Sequence, residues 1–144
     1  MKISVILQQM GQRDIATVPP TASVEDAAKA MSERKIGALV VSSDGKRIEG
    51  IISERDIVAR LGSDGADTLS RPVADVMTTD VKTCNGNDTA IGLLGRMTRG
   101  RFRHLPVADE HGNMTGILSI GDIVKARLEE MEAENRAMAD MLSH

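Results

Sequence analysis

"GIISERDIV" (residues 50–58) and "GILSIGDIV" (residues 116–124) are nearly the same phrase, written twice in one chain of 144 residues. Superposing them places Asp56 on Asp122, an offset of 66 residues that holds without a gap back to Asp14 and Asp80. Thr17/Thr83, Met31/Met97, Leu39/Leu105 and Val41/Val107 also coincide, for eleven identities between Asp14 and Val58. Ordinary composition would give roughly three over that stretch. The chain is a tandem duplication.

Each copy reads as the same run of elements. In "TASVEDAAKAMSERKIG", Val24, Ala27, Ala28 and Met31 recur at helical spacing, with Ser23 as cap, Glu25 and Asp26 in the first turn and Arg34 and Lys35 in the last. "ALVVSS" reads as a buried strand, "DGKR" as a tight hairpin turn and "IEGIIS" as the partner strand. "SERDIVARL" gives a short helix with Gly62 as its stop. The second copy predicts a helix over about 89–98, strand "RHLPVA", turn "DEHGN", strand "MTGILS" and a helix from Ser119 onward, with Pro106 suggesting an edge position. Residues 62–72, rich in Gly, Ser and Asp, read as the linker. A β-α-β-β-α unit of this size buries too little surface to be comfortable alone, and two copies packed sheet on sheet about a pseudo-twofold axis solve that.

Composition narrows the function. The chain has 41% hydrophobic and 27% charged residues, no Trp or Tyr and one Phe, so its core rests on aliphatic residues and nine Met. Missing aromatics argue against stacking on single-stranded nucleic acid. A net charge of −3 offers no pull toward phosphate backbones or anionic membranes. No nucleic-acid or membrane partner is expected. A single cysteine, Cys84, suits a reducing cytosol, and "MKISVILQQM" is too short for a signal h-region or a membrane span, so the expected location is cytoplasmic.

The repeated Gly-φ-φ-Ser-x-x-Asp has two readings. As structure, Ser-x-x-Asp approximates a capping box, in which the hydroxyl accepts from an N–H and the carboxylate favours the positive helix end. As a site, a helix N-terminus attracts phosphate, Ser adds a donor, Asp accepts from ribose hydroxyls, and the glycine lets a ligand approach the strand. Duplication would place two such mouths in paired clefts.

Taken together, the tandem β-α-β-β-α pattern with its two Ser-x-x-Asp phrases resembles a pair of cystathionine-β-synthase (CBS) domains. "IGALVVSSDG", "RFRHLPVAD" and "VADVMTTDVKT" fit the same resemblance, which covers roughly residues 3–128. It implies an α/β fold of the α+β kind: CBS repeat 1 over 1–62, a linker over 63–72, CBS repeat 2 over 73–128 and a C-terminal helical extension over 129–144. It also implies a non-catalytic regulatory module that binds an adenosine-containing nucleotide (AMP, ADP, ATP, NAD or S-adenosylmethionine) in clefts between the repeats and signals energy or redox state to a regulated protein. By the resemblance, Asp56 and Asp122 hold ribose hydroxyls, and Ser53 and Ser119 sit at the ribose–phosphate end. Adenine lies against Ile15, Ala16, Thr17, Val81, Lys82 and Thr83, with Gly37, Ala38, His104, Leu105 and Pro106. Arg55, Arg101 and Arg103 are phosphate candidates, and Gly121, where the first copy has Arg55, frees backbone for an anion. The alternative is a structural or dimerisation protein whose Ser-x-x-Asp phrases only cap helices.

Other chemistry is sparse. Arg96, Arg99, Arg101 and Arg103 read either as compensation of a helix end or as an anion funnel. Cys84, His104 and His111 lack metal-ligand spacing, and no P-loop, G-x-S-x-G or H-E-x-x-H motif occurs, so neither a metal, a catalytic cofactor nor an enzyme is expected. Finally, Val124, Leu128, Met131, Asn135, Met138 and Leu142 are spaced 4, 3, 4, 3, 4, a heptad seam that predicts a homodimer with the C-terminal helix contributing.

Overall fold

The computed structural model describes residues 1–11 and 15–143, so the Asp14 of the duplicated pattern lies outside the described residues. The first repeat contributes β1 (Thr17–Val18), α2 (Val24–Arg34), β2 (Ala38–Val41), β3 (Gly50–Ser53) and α3 (Glu54–Asp64), preceded by a helix α1 (Ile3–Met10). The second contributes α4 (Ala90–Gly100), β4 (His104–Ala108), β5 (Met114–Ser119) and α5 (Ile120–Leu142). β1 runs parallel to β2 through Thr17–Val40 and Val18–Val41, and β3 pairs antiparallel to β2 from Ala38–Ser53 to Val41–Gly50. In the second repeat, β4 and β5 form a two-stranded sheet, and the expected first strand shrinks to one parallel bridge, Cys84–Val107. It ends there because Asn85 and Asp88 close a turn at once: Asn85 N–H donates to Asp88 Oδ2 at 2.9 Å and Asn87 N–H to Asn85 Oδ1 at 2.9 Å.

Local chemistry sets the helix ends. Ser23 accepts from Asp26 N–H at 3.0 Å and Thr89 from Gly92 N–H at 3.1 Å, capping α2 and α4. Both helices close on a non-glycine residue in the left-handed region, Lys35 at φ 55° and Arg101 at φ 56°, again 66 residues apart. Other ends differ from the sequence expectation. α3 runs through Gly62 to Asp64, and Gly65, at φ 76°, takes its C-cap. The linker is not irregular: Gly65–Ser70 and Val73–Asp75 are 3-10 turns. They are tied back by Arg60, which reaches Asp64 Oδ2 at 3.2 Å and the Asp75 carbonyl at 2.7 Å, and by buried Thr68 donating to the Arg60 carbonyl. The first hairpin loop is longer than "DGKR": residues 42–49 separate the strands, folded over Asp44 Oδ1, which accepts from Lys46 and Arg47 N–H at 2.8 and 2.9 Å.

The chain forms two compact units. One holds β1, α2, β2, β3, α3, the segment to Lys82 and the turn Glu110–Met114; the other holds α1, α4, β4, β5 from Thr115 and α5. Their cores are the duplication made physical. Val18, Val24, Ala27, Met31, Leu39, Val41, Ile52 and Ile57 fill the first, and their equivalents Cys84, Ala90, Leu93, Met97, Leu105, Val107, Leu118 and Ile123 fill the second. Ala126 of α5 adds to the second core, and the other core residues are exchanged. Val73 and Val76, ahead of α4, complete the first core, whereas Ile3 and Ile6, ahead of β1, complete the second.

The exchange is anchored by backbone. Ile3 N–H donates to the Asp88 carbonyl at 2.9 Å, Ser4 N–H to Gly86 at 3.0 Å and Ala90 N–H to Met1 at 3.0 Å. Thr78 and Ile51 exchange both backbone hydrogen bonds in the other unit, at 2.8 and 3.0 Å. This decides what the glycine of the repeated phrase does. A methyl on Gly50 would lie 2.5 Å from Met77 Sδ and 3.0 Å from the Thr78 carbonyl, and one on Gly116 would lie 2.9 Å from Leu7 Cδ2. Both glycines admit a neighbouring segment of protein, not the ligand that the sequence reading placed there.

Candidate functional site

Each Ser-x-x-Asp phrase straddles a strand-to-helix junction, and in both the capping box is complete. In the first, Asp56 N–H donates to Ser53 Oγ at 3.2 Å, and Ser53 N–H donates to Asp56 Oδ2 at 2.9 Å. In the second, Asp122 N–H donates to Ser119 Oγ at 3.1 Å, and Ser119 N–H to Asp122 Oδ2 at 2.9 Å. The first residue of each helix is also satisfied: Glu54 N–H donates to the Gly37 carbonyl at 3.0 Å, and Ile120 N–H to the Arg103 carbonyl at 2.8 Å. Most of the donors that a helix mouth offers an anion are thus taken by the protein itself. The boxes therefore present carboxylates more than N–H groups.

Asp56 and Asp122 are half-buried, as are Ser53 and Ser119. Both boxes use Oδ2; in the first, Oδ1 faces Thr78, whose hydroxyl lies 3.4 Å away. Thr78 lies in "VADVMTTDVKT", ahead of the second repeat's first helix, and carries no ligand signal in the sequence. What brings it to Asp56 is its backbone pairing with Ile51, a long-range contact that no local pattern announces.

The other candidates divide. Gly37 and Ala38 join the first box, through the Gly37 carbonyl and the Ala38–Ser53 pair. Arg103 joins the second box by its carbonyl, with half-buried His104 next to it at the start of β4. Arg55 and Gly121 occupy the exposed second position of their helices. A methyl on Gly121 would meet only Ser119 Oγ, at 3.6 Å, so the space over this glycine is open on the protein side. Leu105 and Pro106 are buried in β4, and Leu105 belongs wholly to the apolar core. Ile15 and Ala16 are half-buried before β1, and Thr17 is exposed on it. Val81 is half-buried, Lys82 pairs with Asp80 at 3.2 Å, and the Thr83 carbonyl accepts from Arg96 at 2.9 Å.

Of the four arginines in residues 96–104, Arg96 is thus structural, and Arg99 lies back over Gly95 on its own helix. Arg101 and Arg103 are exposed, as is Arg99. Cys84 is a core residue whose thiol is pushed up to about 12 by burial, with the Asp88 charge adding to the effect. It is held as an unreactive thiol. Among the described residues, no group of three or more His, Cys, Asp or Glu could hold a metal ion, and no helix is long and apolar enough to cross a membrane.

A duplicated α+β fold in which each repeat closes on the same boxed Ser-x-x-Asp helix defines the class. The chain belongs to the CBS-domain family, whose profile matches residues 7–63 and again 73–129. A CBS-domain-containing protein from Agrobacterium tumefaciens is 41% identical and superposes with a TM-score of 0.83, covering 88% of this chain and 99% of that one. A CBS domain protein from Pyrobaculum aerophilum, solved in complex with AMP, is 26% identical with a TM-score of 0.74, covering 85% of this chain and 89% of its own. A mitochondrial CBS-domain-containing protein of Arabidopsis thaliana is 37% identical over 116 residues, 78% of this chain. The chain spans only 56% of that relative's length.

Proposed function

We propose that this CBS pair is a non-catalytic regulatory module that binds an adenosine-containing nucleotide at its two Ser-x-x-Asp mouths. Ligand occupancy is passed to a regulated protein as a signal of energy or redox state. One observation carries the reading: two carboxylates in matching boxes stand at equivalent strand ends of a fold whose Pyrobaculum relative was solved with AMP. In each box a ribose diol donates to the carboxylate oxygen outside the cap. The adenine and phosphate contacts proposed are those set out from the sequence, less Leu105, whose side chain is committed to the core. The repeats span 1–62 and 73–128, joined by 63–72, with their leading segments exchanged between the two compact units, and the extension over 129–144 contributes to a homodimer.

The second reading, a structural protein in which the boxes only cap helices, is favoured by their completeness, since each serine and aspartate already satisfies the other. Thermal unfolding separates the two. With AMP, ATP, NAD or S-adenosylmethionine at about 100-fold above Kd, linkage gives about 2.7 kcal/mol of stabilisation. At this chain length the melting temperature rises by about 5–15 °C. The mouths respond unequally: Arg55→Ala weakens a phosphate-rich ligand by about 1.5–3 kcal/mol at the first and leaves the second unchanged. Gly121→Val blocks the second by filling its open space. A flat melting temperature with all four ligands leaves only the capping role.

A further inference from the structure

α5 carries a face that the described residues of this chain leave open. Ile123 and Ala126 point into the core of their unit, and from residue 131 onward every described residue is exposed. The helix runs past the end of the family match at residue 129 to Leu142, so this stretch belongs to the chain and not to the repeat. Val124, Leu128, Met131, Met138 and Leu142 are all among the exposed large apolar residues, on one heptad stripe with Asn135. The stripe begins as an open apolar face of α5 made by Ile120, Val124 and Leu128 and flanked by Lys125, Glu129 and Glu132.

We propose that this stripe is covered by the same stripe of a second copy, with the two α5 helices parallel and in register. The proposal rests on the homodimer reading above and adds its geometry. In the heptad, Leu128, Asn135 and Leu142 take a positions and Val124, Met131 and Met138 take d positions. Parallel and in register, Asn135 meets Asn135 of the second copy, where each amide both donates and accepts. In an antiparallel overlap a residues face d residues, and Asn135 would be set against valine or methionine with its amide unpaired, a costly burial.

The flanking charges agree with the parallel arrangement. There a g residue meets the e residue five positions on, which sets Arg127 against Glu132 of the second copy and Ile120 against Lys125. No like charges meet along the seam. Arg127 is already held at this edge by Glu130, and it lies 3.9 Å from Glu134, so its guanidinium enters the contact positioned.

Single-cysteine cross-linking in the full chain, read beside sedimentation, tests the geometry. Cys84 is silent because it is buried. Treated with diamide at micromolar concentration, Leu142→Cys converts most of the chain to a disulfide-linked dimer, since in-register a positions lie within the roughly 7 Å that a disulfide spans. A mixture of Val124→Cys and Asn135→Cys chains gives no mixed dimer above background. Met131→Glu with Met138→Glu weakens the sedimenting dimer at least tenfold. A wild-type monomer overturns the homodimer and this geometry together. A wild-type dimer in which only the Val124→Cys/Asn135→Cys mixture cross-links overturns the parallel orientation alone. A dimer that neither cross-links through Leu142→Cys nor responds to the two glutamates removes α5 from the interface.

Discussion

The Asp56→Asn/Asp122→Asn double variant loses the nucleotide-induced rise in melting temperature, while its own melting temperature falls by only a few degrees. Asparagine is the informative replacement because both carboxylates have a structural role. Each accepts its serine's N–H at 2.9 Å, and the amide oxygen of asparagine accepts that bond equally well. What is lost on the structural side is the favourable charge at the helix N-terminus, about 0.3–1 kcal/mol per helix. On the ligand side, the second carboxylate oxygen becomes an NH2 group, which cannot accept from a ribose hydroxyl. Two charge-assisted bonds at about 1.5–3 kcal/mol each then disappear from each mouth. Affinity drops by a factor of 100 or more, enough to erase the shift at fixed ligand. A double variant that responds to nucleotide like the wild type would separate the boxes from ligand binding. Alanine would confuse the result by also removing the acceptor of each serine N–H, the reciprocal half of each box.

Ile3→Ala with Ile6→Ala unfolds the unit built on the second repeat. Ile3 is 0% and Ile6 2% exposed, in a core otherwise made of repeat 2 residues. Each truncation costs about 2–5 kcal/mol from lost burial and the cavity left behind. Their sum, reduced by coupling between neighbours on one helix, approaches the whole stability of a domain, about 5–15 kcal/mol. Amide exchange should show protection lost in α4, β4, β5 and the first turns of α5, with the melting temperature lowered by more than about 15 °C. A drop of only a few degrees would mean that α1 is an accessory and that repeat 2 supports itself.

That dependence marks where the sequence stops being readable. The duplicated phrase announces its boxes because capping is local: Ser and Asp three residues apart, at the end of an apolar run, need no other part of the chain. The caps at Ser23 and Thr89 and the paired core positions are legible for the same reason, since periodicity carries them. α1 is not. "ISVILQQM" is a short apolar stretch whose helix is fixed by Asp88 and Gly86 carbonyls some 80 residues away. The extension of α3 past Gly62 likewise depends on Arg60 reaching the Asp75 carbonyl, a tertiary bond. At the candidate site, Ser and Asp were visible, whereas Thr78 was hidden in a lead-in segment that only sheet pairing brings to Asp56. The part played by Gly50 and Gly116 is not legible, because a sequence shows that a close approach is needed and not that Met77, Thr78 and Leu7 make it.

The claim that the boxed carboxylates hold a ribose is tested most directly by calorimetric titration of the wild-type chain with AMP and with its 2′,3′-dideoxy analogue. The two ligands share adenine and phosphate and differ only in the hydroxyls that Asp56 and Asp122 are proposed to accept. The account predicts that AMP binds and that the dideoxy analogue binds at least 100-fold more weakly, or not measurably. Equal affinity for the two, or no heat with either, would contradict it.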